Sequence, residues 1–287
     1  MRRQILRVFL LPLFALCLTS MSAADAEGVK ADELTFGIVP SFSTRVLFAK
    51  YQPLRFYLER RLGQPVRLYT ATDFKTFYIK TRDKQYDLVF IAPHMARLAQ
   101  RQANMVPLAR YTQNVRPIVA VPKDSTITTA EDLRGKSIAM IDPWALATLV
   151  GVSWLRTHGL EPGRDYRLVN ATSHDSAIRS FSKGDNAAAF VLRQGLQQLP
   201  KALRDSVKIT ADMGEWPGAM FMASSNLSSA QIAKLKVALL EFTATTEGEL
   251  FVKQNGFAGI IPVTQADMDK LDVLALEVDR MLDAPAP

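Results

Sequence analysis

The chain has 287 residues, 48% of them hydrophobic and 22% charged, with a formal net charge of +7. These values are typical of a soluble globular protein with one or two domains, and they exclude a disordered chain. The basic excess is mild and no nucleic-acid-binding motif accompanies it, so we expect no nucleic-acid partner.

The first residues, MRRQILRVFLLPLFALCLTSMSAADA, predict a secretory signal peptide over residues 1–26. Arginines precede an apolar run too short to span a bilayer comfortably, and Ala24-Asp25-Ala26 forms an A-x-A cleavage site. We therefore expect export and cleavage near Ala26. Lipidation of Cys17 is the disfavoured alternative, because Leu16 stands where a small residue is expected.

Cleavage removes the single cysteine and leaves 32 basic against 27 acidic side chains. Disulfides, thiolate catalysis and cysteine-ligated metals are then excluded from the mature chain.

Short β-rich runs alternate with helical patterns from Leu34 onward, which predicts βαβ units and mainly parallel sheets. Helices are predicted in YQPLRFYLERRLG and ALATLVGVSWLRTHG, after the first and fourth strands. The predicted strands cover residues 34–40, 65–71, 86–93, 136–142, 165–171, 186–192 and 206–212.

Two S/T-x-x-E/Q capping boxes predict helix starts, one from Thr128 to Glu131 and one from Ser228 to Gln231. Apolar residues behind the second box keep a helical period. A single helix is therefore predicted from Ser228 to about Asn255.

Two extended segments, residues 115–125 and 217–226, leave no room for a helix after the preceding strand. We interpret them as crossings between two α/β lobes with a cleft between them, hinged near residues 113–118 and 218–224. The first predicted lobe holds residues 27–113 and 225–287, and the second holds residues 114–224.

Ligands in open α/β sheets bind beyond the carboxyl ends of the strands, where helix N-termini converge. The turn after Asp142 offers free backbone N–H groups to an anion, although its side chains are apolar. Asp142 itself is interpreted as a turn former. The candidate binding residues at these strand ends are Ser41, Thr44, Thr72, Phe74, His94, Trp144, Ala145, Leu146, Ala147, Thr148 and His174.

An enzymatic function is not expected. The chain has no H-E-x-x-H, no G-x-S-x-G, no P-loop and no glycine-rich dinucleotide turn. Its three histidines are scattered, and His158 is interpreted as a helix C-terminal residue. No catalytic residue, metal site or cofactor is predicted.

Seven stretches, in order, carry a family resemblance: FGIVP, YQPLRFYLERRLG, ATDF, YDLVFIAP, DLRGKSIAMIDP, SHDSAI and IPVTQADMD. Over residues 34–270 the chain resembles the periplasmic solute-binding proteins for phosphate, phosphite and phosphonate that serve ABC importers. The resemblance implies an α/β, two-lobed, type II periplasmic-binding fold that closes on a small ligand in its interlobe cleft. It also implies a periplasmic monomer whose partner is an importer permease. The alternative is a sensor subunit that reports to a membrane receptor kinase.

The oxyanion-binding side chains of this family are largely replaced. Phe74 stands at the tyrosine of Ala-x-Asp-Tyr, and residues 145–148 read ALAT where the family has hydroxyl residues. The family's histidine is kept as His174. We therefore expect weak binding of phosphate, phosphite and methylphosphonate, and a ligand with one anionic group beside an apolar part. Arg116, Arg193 and His174 are expected to hold the charge, and Phe74, Trp144 and Leu146 the apolar part.

Overall fold

The computed structural model describes residues 33–256 and 258–283. The predicted signal peptide, with its cleavage site, lies outside the described residues. Within the described ranges, no helix is both long enough and apolar enough to cross a membrane.

The chain alternates strands and helices, as the sequence predicts. The strands are β1 (Leu34–Ile38), β2 (Val66–Tyr69), β3 (Leu88–Ile91), β4 (Val106–Tyr111), β5 (Pro117–Pro122), β6 (Ser137–Met140), β7 (Arg167–Asn170), β8 (Ala188–Leu192), β9 (Val207–Asp212), β10 (Met220–Ala223) and β11 (Ile260–Pro262). The helices are α1 (Thr44–Leu62), α2 (Phe74–Arg82), α3 (Pro93–Ala103), α4 (Leu146–Thr157), α5 (His174–Arg179), α6 (Arg193–Gln197), α7 (Lys201–Asp205), α8 (Ser229–Phe242), α9 (Thr246–Asn255), α10 (Gln265–Asp269) and α11 (Asp272–Asp283).

The strands form two sheets, which we call the sheets of the first and second lobes. The first has six strands in the order β11-β4-β10-β3-β1-β2, and the second has five in the order β7-β6-β8-β5-β9. Both sheets are mixed rather than mainly parallel. Strands joined through a helix, β1 to β3 and β6 to β8, pair in parallel, whereas β5 and β10 run antiparallel to their neighbours. The physical reason is that β5 and β10 each enter a sheet directly from the other lobe, without a helical crossover.

Strands β4 and β11 were not predicted. Strand β4 contains Pro107, which is depleted in strands, and its register with β10 shifts between Phe221 and Met222, so that Pro107 sits at an irregularity. Strand β11 has only three residues and pairs with the edge of β4.

The predicted single helix from Ser228 to Asn255 is wrong, because the chain forms two helices, α8 and α9, with a turn between them. The Ser228 capping box is confirmed at the start of α8. Thr245 then caps α9 by accepting a hydrogen bond from the Gly248 N–H at 3.0 Å. A Cβ at Gly248 would stand 1.8 Å from the Phe242 carbonyl oxygen, so the close approach of the two helices requires glycine there.

The predicted capping box at Thr128 is also wrong. Only a single 3-10 turn, Glu131–Leu133, follows it. The Asp132 carboxylate, not Glu131, accepts the N–H groups of Thr128 and Thr129, at 2.8 and 2.9 Å.

The two sheets are joined where the sequence predicts the crossings. The chain passes from β4 to β5 and returns from β9 to β10. Between these strands, Val115 and Trp216 exchange two backbone hydrogen bonds of 2.8 and 2.9 Å. The two connections therefore run side by side as a short antiparallel pair.

The main hydrophobic core belongs to the first lobe, but it continues into the start of α4. Trp144, Ala145 and Leu146 are buried in the same cluster as Phe36, on β1. Two smaller clusters cover the faces of the second sheet. The N-terminus of α4 is thus held against the first lobe, beside the cleft.

Candidate ligand-binding site

The space between the lobes contains three adjoining cavities. The outer cleft, about 1010 Å³, is lined by Thr44, Lys50, Thr72, Asp142, His174 and Gln198 among others. The inner cavity, about 190 Å³, is lined mainly by apolar residues that include Phe74, Ala145, Leu146, Ala147 and Phe190. The hinge pocket, about 130 Å³, is lined by Lys50, Tyr51, Tyr111, Gln113, Gln194 and Gln198 among others.

The structure places eight of the thirteen candidate residues on the walls of these cavities. Ser41 lines the inner cavity and the hinge pocket, and Phe74 and His174 line both the outer cleft and the inner cavity. The remaining five are Thr44, Thr72, Ala145, Leu146 and Ala147.

Arg116 and Arg193, the predicted holders of the ligand's charge, do not line the cavities. Both guanidinium groups bind the Asp212 carboxylate, at 3.1 and 2.8 Å. Arg116 also pairs with Glu215 at 2.8 Å. Their charges are neutralised by carboxylates distant in sequence, so the prediction for these two arginines is corrected.

Three other candidates lie behind the walls of the cleft. The His94 ring is fully buried and its Nε2 atom is 2.9 Å from the Trp144 carbonyl oxygen. The Trp144 ring packs on Tyr78 with 5.9 Å between ring centroids. Thr148 is buried on the side of α4 that faces α11. These residues fix the position of the α4 N-terminus and do not reach the cavities.

The N-terminus of α4 faces the inner cavity with free backbone donors. Asp142 orders the turn before it, because its carbonyl accepts the Ala145 N–H and its carboxylate accepts the Trp144 N–H at 2.7 Å. Within the described residues, no acceptor is bonded to the N–H of Leu146 or Ala147. These N–H groups, together with the helix dipole, favour an electronegative atom in the cavity.

The N-terminus of α2, by contrast, is already occupied by carboxylates. Asp73 caps it, accepting the Thr76 N–H at 2.6 Å. The Asp142 carboxylate, from the second lobe, lies close enough to the Phe74 N–H for that group to lower its pKa. Burial raises the pKa of Asp142, the nearby Asp73 charge adds to that rise, and the two backbone N–H groups oppose it. A ligand anion placed here would meet two carboxylates.

Lys50 supplies a cation that the sequence analysis did not identify. It lines the outer cleft and the hinge pocket from the middle of α1. Its Nζ atom is 4.3 Å from the centroid of the Phe42 ring and 3.5 Å from the Gln198 Oε1 atom. No ion pair among the described residues includes Lys50, and burial lowers its pKa. Desolvation without a partner carboxylate makes it the group in the cleft best suited to an anion.

His174 is a neutral donor or acceptor and not a cation. Burial lowers its pKa to about 4, and its Nδ1 atom is buried without a hydrogen-bond partner among the described residues. Its ring lies against the backbone of Gly195, where a Cβ would stand 2.4 Å from His174 Cδ2. The expectation that His174 helps to hold the ligand's anionic group therefore stays a prediction, with the ring acting through a hydrogen bond.

Several hydroxyl groups of the outer cleft are turned toward the protein. Thr72 donates to the Asp73 carboxylate at 2.7 Å, and Thr172 donates to the Ser176 Oγ atom at 3.2 Å. Ser173 caps α5 and accepts the Ser176 N–H. These groups serve the helix starts, which leaves few hydroxyl donors for an oxyanion.

With this geometry described, the chain can be compared with known proteins. The model of the periplasmic substrate-binding protein family of ABC phosphonate transporters matches residues 36–268. The chain belongs to this family. The family consists of periplasmic binding proteins that serve a membrane permease, so this protein is a substrate-binding component and not an enzyme.

Individual relatives are distant in sequence. The phosphate-import protein PhnD of Mycolicibacterium smegmatis is 24% identical over 279 residues, covering 86% of each chain. The binding protein of an ABC phosphonate transporter from Pseudomonas aeruginosa superposes with a TM-score of 0.76 at 18% identity, over 89% of this chain and 90% of that chain. PhnD1 from Prochlorococcus marinus, in complex with methylphosphonate, gives a TM-score of 0.75 at 15% identity, over 86% and 98%. These likenesses confirm the two-lobed type II periplasmic-binding fold.

Proposed function

We propose that this protein captures a small organic anion with an apolar body and delivers it to an ABC importer. The charged group of the ligand binds near Lys50, and the apolar body enters the inner cavity. The observation that carries this proposal is the position of Lys50, which is half-buried, has no carboxylate partner among the described residues, and lines the outer cleft and the hinge pocket that adjoin the largely apolar inner cavity.

The inner cavity supports an apolar ligand body. Its walls include Phe74, Leu146 and Phe190, and its volume of about 190 Å³ suits a compact carbon skeleton. The free N–H groups of Leu146 and Ala147 offer a place for one oxygen atom of the ligand. His174, which is neutral, is available for a second hydrogen bond.

A bare tetrahedral oxyanion fits this arrangement poorly. It needs many donors around it, and the start of α4 offers only backbone N–H groups beside alanine and leucine side chains. The N-terminus of α2 is capped by Asp73, and the Asp142 carboxylate lies near it. Phosphate, phosphite and methylphosphonate should therefore bind weakly.

Closure around the ligand is proposed to occur about the paired crossings at Val115 and Trp216. Two short backbone connections that run side by side form a natural hinge between lobes.

We also propose that the exported protein begins near Glu27, which N-terminal sequencing would test; a retained Met1 would contradict it.

Two measurements test the proposed function. Mass spectrometry of small molecules released from purified protein under denaturing conditions should find an organic anion. Calorimetry should then show that hexanoate or hexanesulfonate binds the unmodified protein more tightly than phosphate or methylphosphonate. Sub-micromolar binding of phosphate or methylphosphonate would contradict the proposal.

A pair of variants tests the role of Lys50. Lys50→Gln should weaken hexanoate or hexanesulfonate binding by about 10- to 100-fold, because a charged hydrogen bond contributes about 1.5–3 kcal/mol. Arg116→Gln removes a cation whose partners are Asp212 and Glu215, and it should leave binding within about threefold. Equal losses in both variants would show that Lys50 has no special role.

A further inference from the structure

Gln198 lines all three cavities, as Phe42 does, and it is the polar residue of the two. It follows α6 in the second lobe and reaches the first lobe through both ends of its amide. Its Oε1 atom is 3.5 Å from Lys50 Nζ, and its Nε2 atom donates to the Asn255 carbonyl oxygen at 3.1 Å. The side chain thus stands between the outer cleft, the inner cavity and the hinge pocket.

We propose that the Gln198 side chain acts as a gate. Its amide oxygen contacts the Lys50 ammonium group in the absence of ligand, and a ligand anion displaces it. This inference rests on the proposed function, since it assigns the first step of ligand binding at the same site. The gate opens when the Gln198 amide leaves Lys50 and Asn255. This movement joins the outer cleft to the cavities behind it.

The energetics of the Lys50 contact favour such an exchange. A hydrogen bond at 3.5 Å is at the long limit for N–H···O and is weak. A carboxylate or sulfonate oxygen would approach an ammonium group at about 2.7–2.9 Å and would add an attraction between opposite charges that a neutral amide oxygen lacks. Gln198 is exposed, so moving its side chain requires no repacking of the core.

The charged form of Lys50 depends on its contact with Gln198, because its surroundings offer little other stabilisation. Burial disfavours its charged form, and no carboxylate among the described residues pairs with it. The Phe42 ring face provides the other contact of its ammonium group. A neutral amide oxygen keeps the cation hydrogen-bonded in the absence of ligand without competing strongly against an anion.

The gate also has a consequence for selectivity. Because Gln198 bridges from the second lobe to α1 and to the end of α9, its contacts form only when the lobes are close. An anion that binds Lys50 in its place must restore a link to the second lobe, through the free N–H groups of α4 or through His174. Anions too short to contact both Lys50 and the inner cavity should therefore bind weakly.

Two substitutions at this position, with a matched control, test the proposal on the full-length exported protein. Gln198→Glu places a carboxylate on Lys50 and should weaken hexanoate binding by at least about tenfold. Gln198→Ala removes the competitor and should strengthen hexanoate binding severalfold. Gln254→Glu adds the same charge to the wall of the outer cleft, away from the hinge pocket, and should change binding less than about threefold.

Acylation of Lys50 Nζ, followed by mass spectrometry, reads the contact directly. Without hexanoate, Lys50 should react faster in Gln198→Ala and slower in Gln198→Glu than in the unmodified protein, while Gln254→Glu matches the unmodified rate. Hexanoate should protect Lys50 in the unmodified protein and in Gln198→Ala. Equal hexanoate binding by the unmodified protein and both Gln198 variants would overturn the gate and leave the proposed function standing. No binding of hexanoate or hexanesulfonate to either the unmodified protein or Gln198→Ala would overturn the proposed function and the gate with it.

Discussion

The Asp142 carboxylate accepts a hydrogen bond from the backbone N–H of Trp144 at 2.7 Å. The Phe74 N–H, at the start of α2 in the first lobe, lies close enough to the same carboxylate to lower its pKa. Both helices begin at the cleft. The Asp142 charge therefore acts on both helix starts, in addition to forming the turn that the sequence predicts.

Two substitutions of Asp142 distinguish the contribution of its hydrogen bonding to stability from the contribution of its charge. Asp142→Ala leaves the Trp144 N–H without its acceptor and should lower the free energy of unfolding by about 1–3 kcal/mol. Asp142→Asn keeps an acceptor oxygen and should cost less. Denaturant titration at neutral pH measures both, and equal losses would show that the charge matters more than the hydrogen bonds.

The pH dependence of Asp142 has a definite sign. Its pKa in the folded protein is raised above the ordinary value of 3.8, so the folded state holds this proton more tightly than the unfolded chain. Ionisation of Asp142 therefore reduces stability as the pH rises above 3.8. Relative to the unmodified protein, Asp142→Asn should become more stable as the pH is raised from 3.8 toward neutrality. A pH-independent difference would contradict the raised pKa.

His94 should make the protein sensitive to acid. Burial lowers its pKa from 6.5 to about 4, so the unfolded chain binds this proton more tightly than the folded chain. The stability from neutral His94 is complete above pH 6.5 and is lost as the pH falls toward 4, on the order of 3 kcal/mol in total. His174, with the same lowered pKa, adds a fall of the same sign.

Histidine variants separate these contributions. Denaturant titrations between neutral and acid pH should show a shallower loss of stability in His94→Gln than in the unmodified protein. His158→Gln is the control, because that ring is exposed at the end of α4, where its Nδ1 atom contacts the Trp154 carbonyl. An unchanged acid slope in His94→Gln would show that His94 is not the buried neutral group described here.

Local sequence signals predict much of the fold and less of the site. Short β-rich runs predict strands such as β1 and β3. Capping side chains mark the helix starts at Asp73, Ser173 and Ser228. The split between α8 and α9 depends on contact between Gly248 and Phe242, which periodicity does not report.

The charge at the site depends on pairing across long separations in sequence. Arg116 stands near the crossing and resembles a ligand residue, but Asp212 and Glu215 neutralise it from the returning segment. Lys50 lies in the middle of a helix, and nothing in its sequence neighbourhood shows that it faces the cleft. The apolar surface at residues 145–147, in contrast, follows from the residue types themselves and needs no knowledge of pairing.

Ala145 offers a test of the α4 N-terminus. It occupies the N-cap position with φ −68° and ψ 140° and has no side-chain capping bond. Ala145→Ser should stabilise the protein by about 1 kcal/mol, because its hydroxyl can accept a free N–H of the first turn. The serine O–H remains a donor while its oxygen accepts that N–H, and this added side-chain donor should strengthen phosphate or methylphosphonate binding. Ala171→Ser, which adds a hydroxyl elsewhere in the cleft, should do neither. Equal thermal shifts in the two variants would contradict the capping argument.

Gly195 offers the sharpest test of the packing around His174. It lies within α6, where alanine would normally be favoured over glycine by about 1 kcal/mol. A Cβ there would stand 2.4 Å from His174 Cδ2 and 2.7 Å from Nε2, so the ring must move. Overpacking typically costs about 1–3 kcal/mol, which outweighs the helix preference, and Gly195→Ala should therefore destabilise the protein. In the His174→Ala background the clash is absent, and the same change should stabilise by up to about 1 kcal/mol. Denaturant titration of the four proteins of this double-mutant cycle measures the coupling; additive effects would show that the His174 ring does not rest on Gly195.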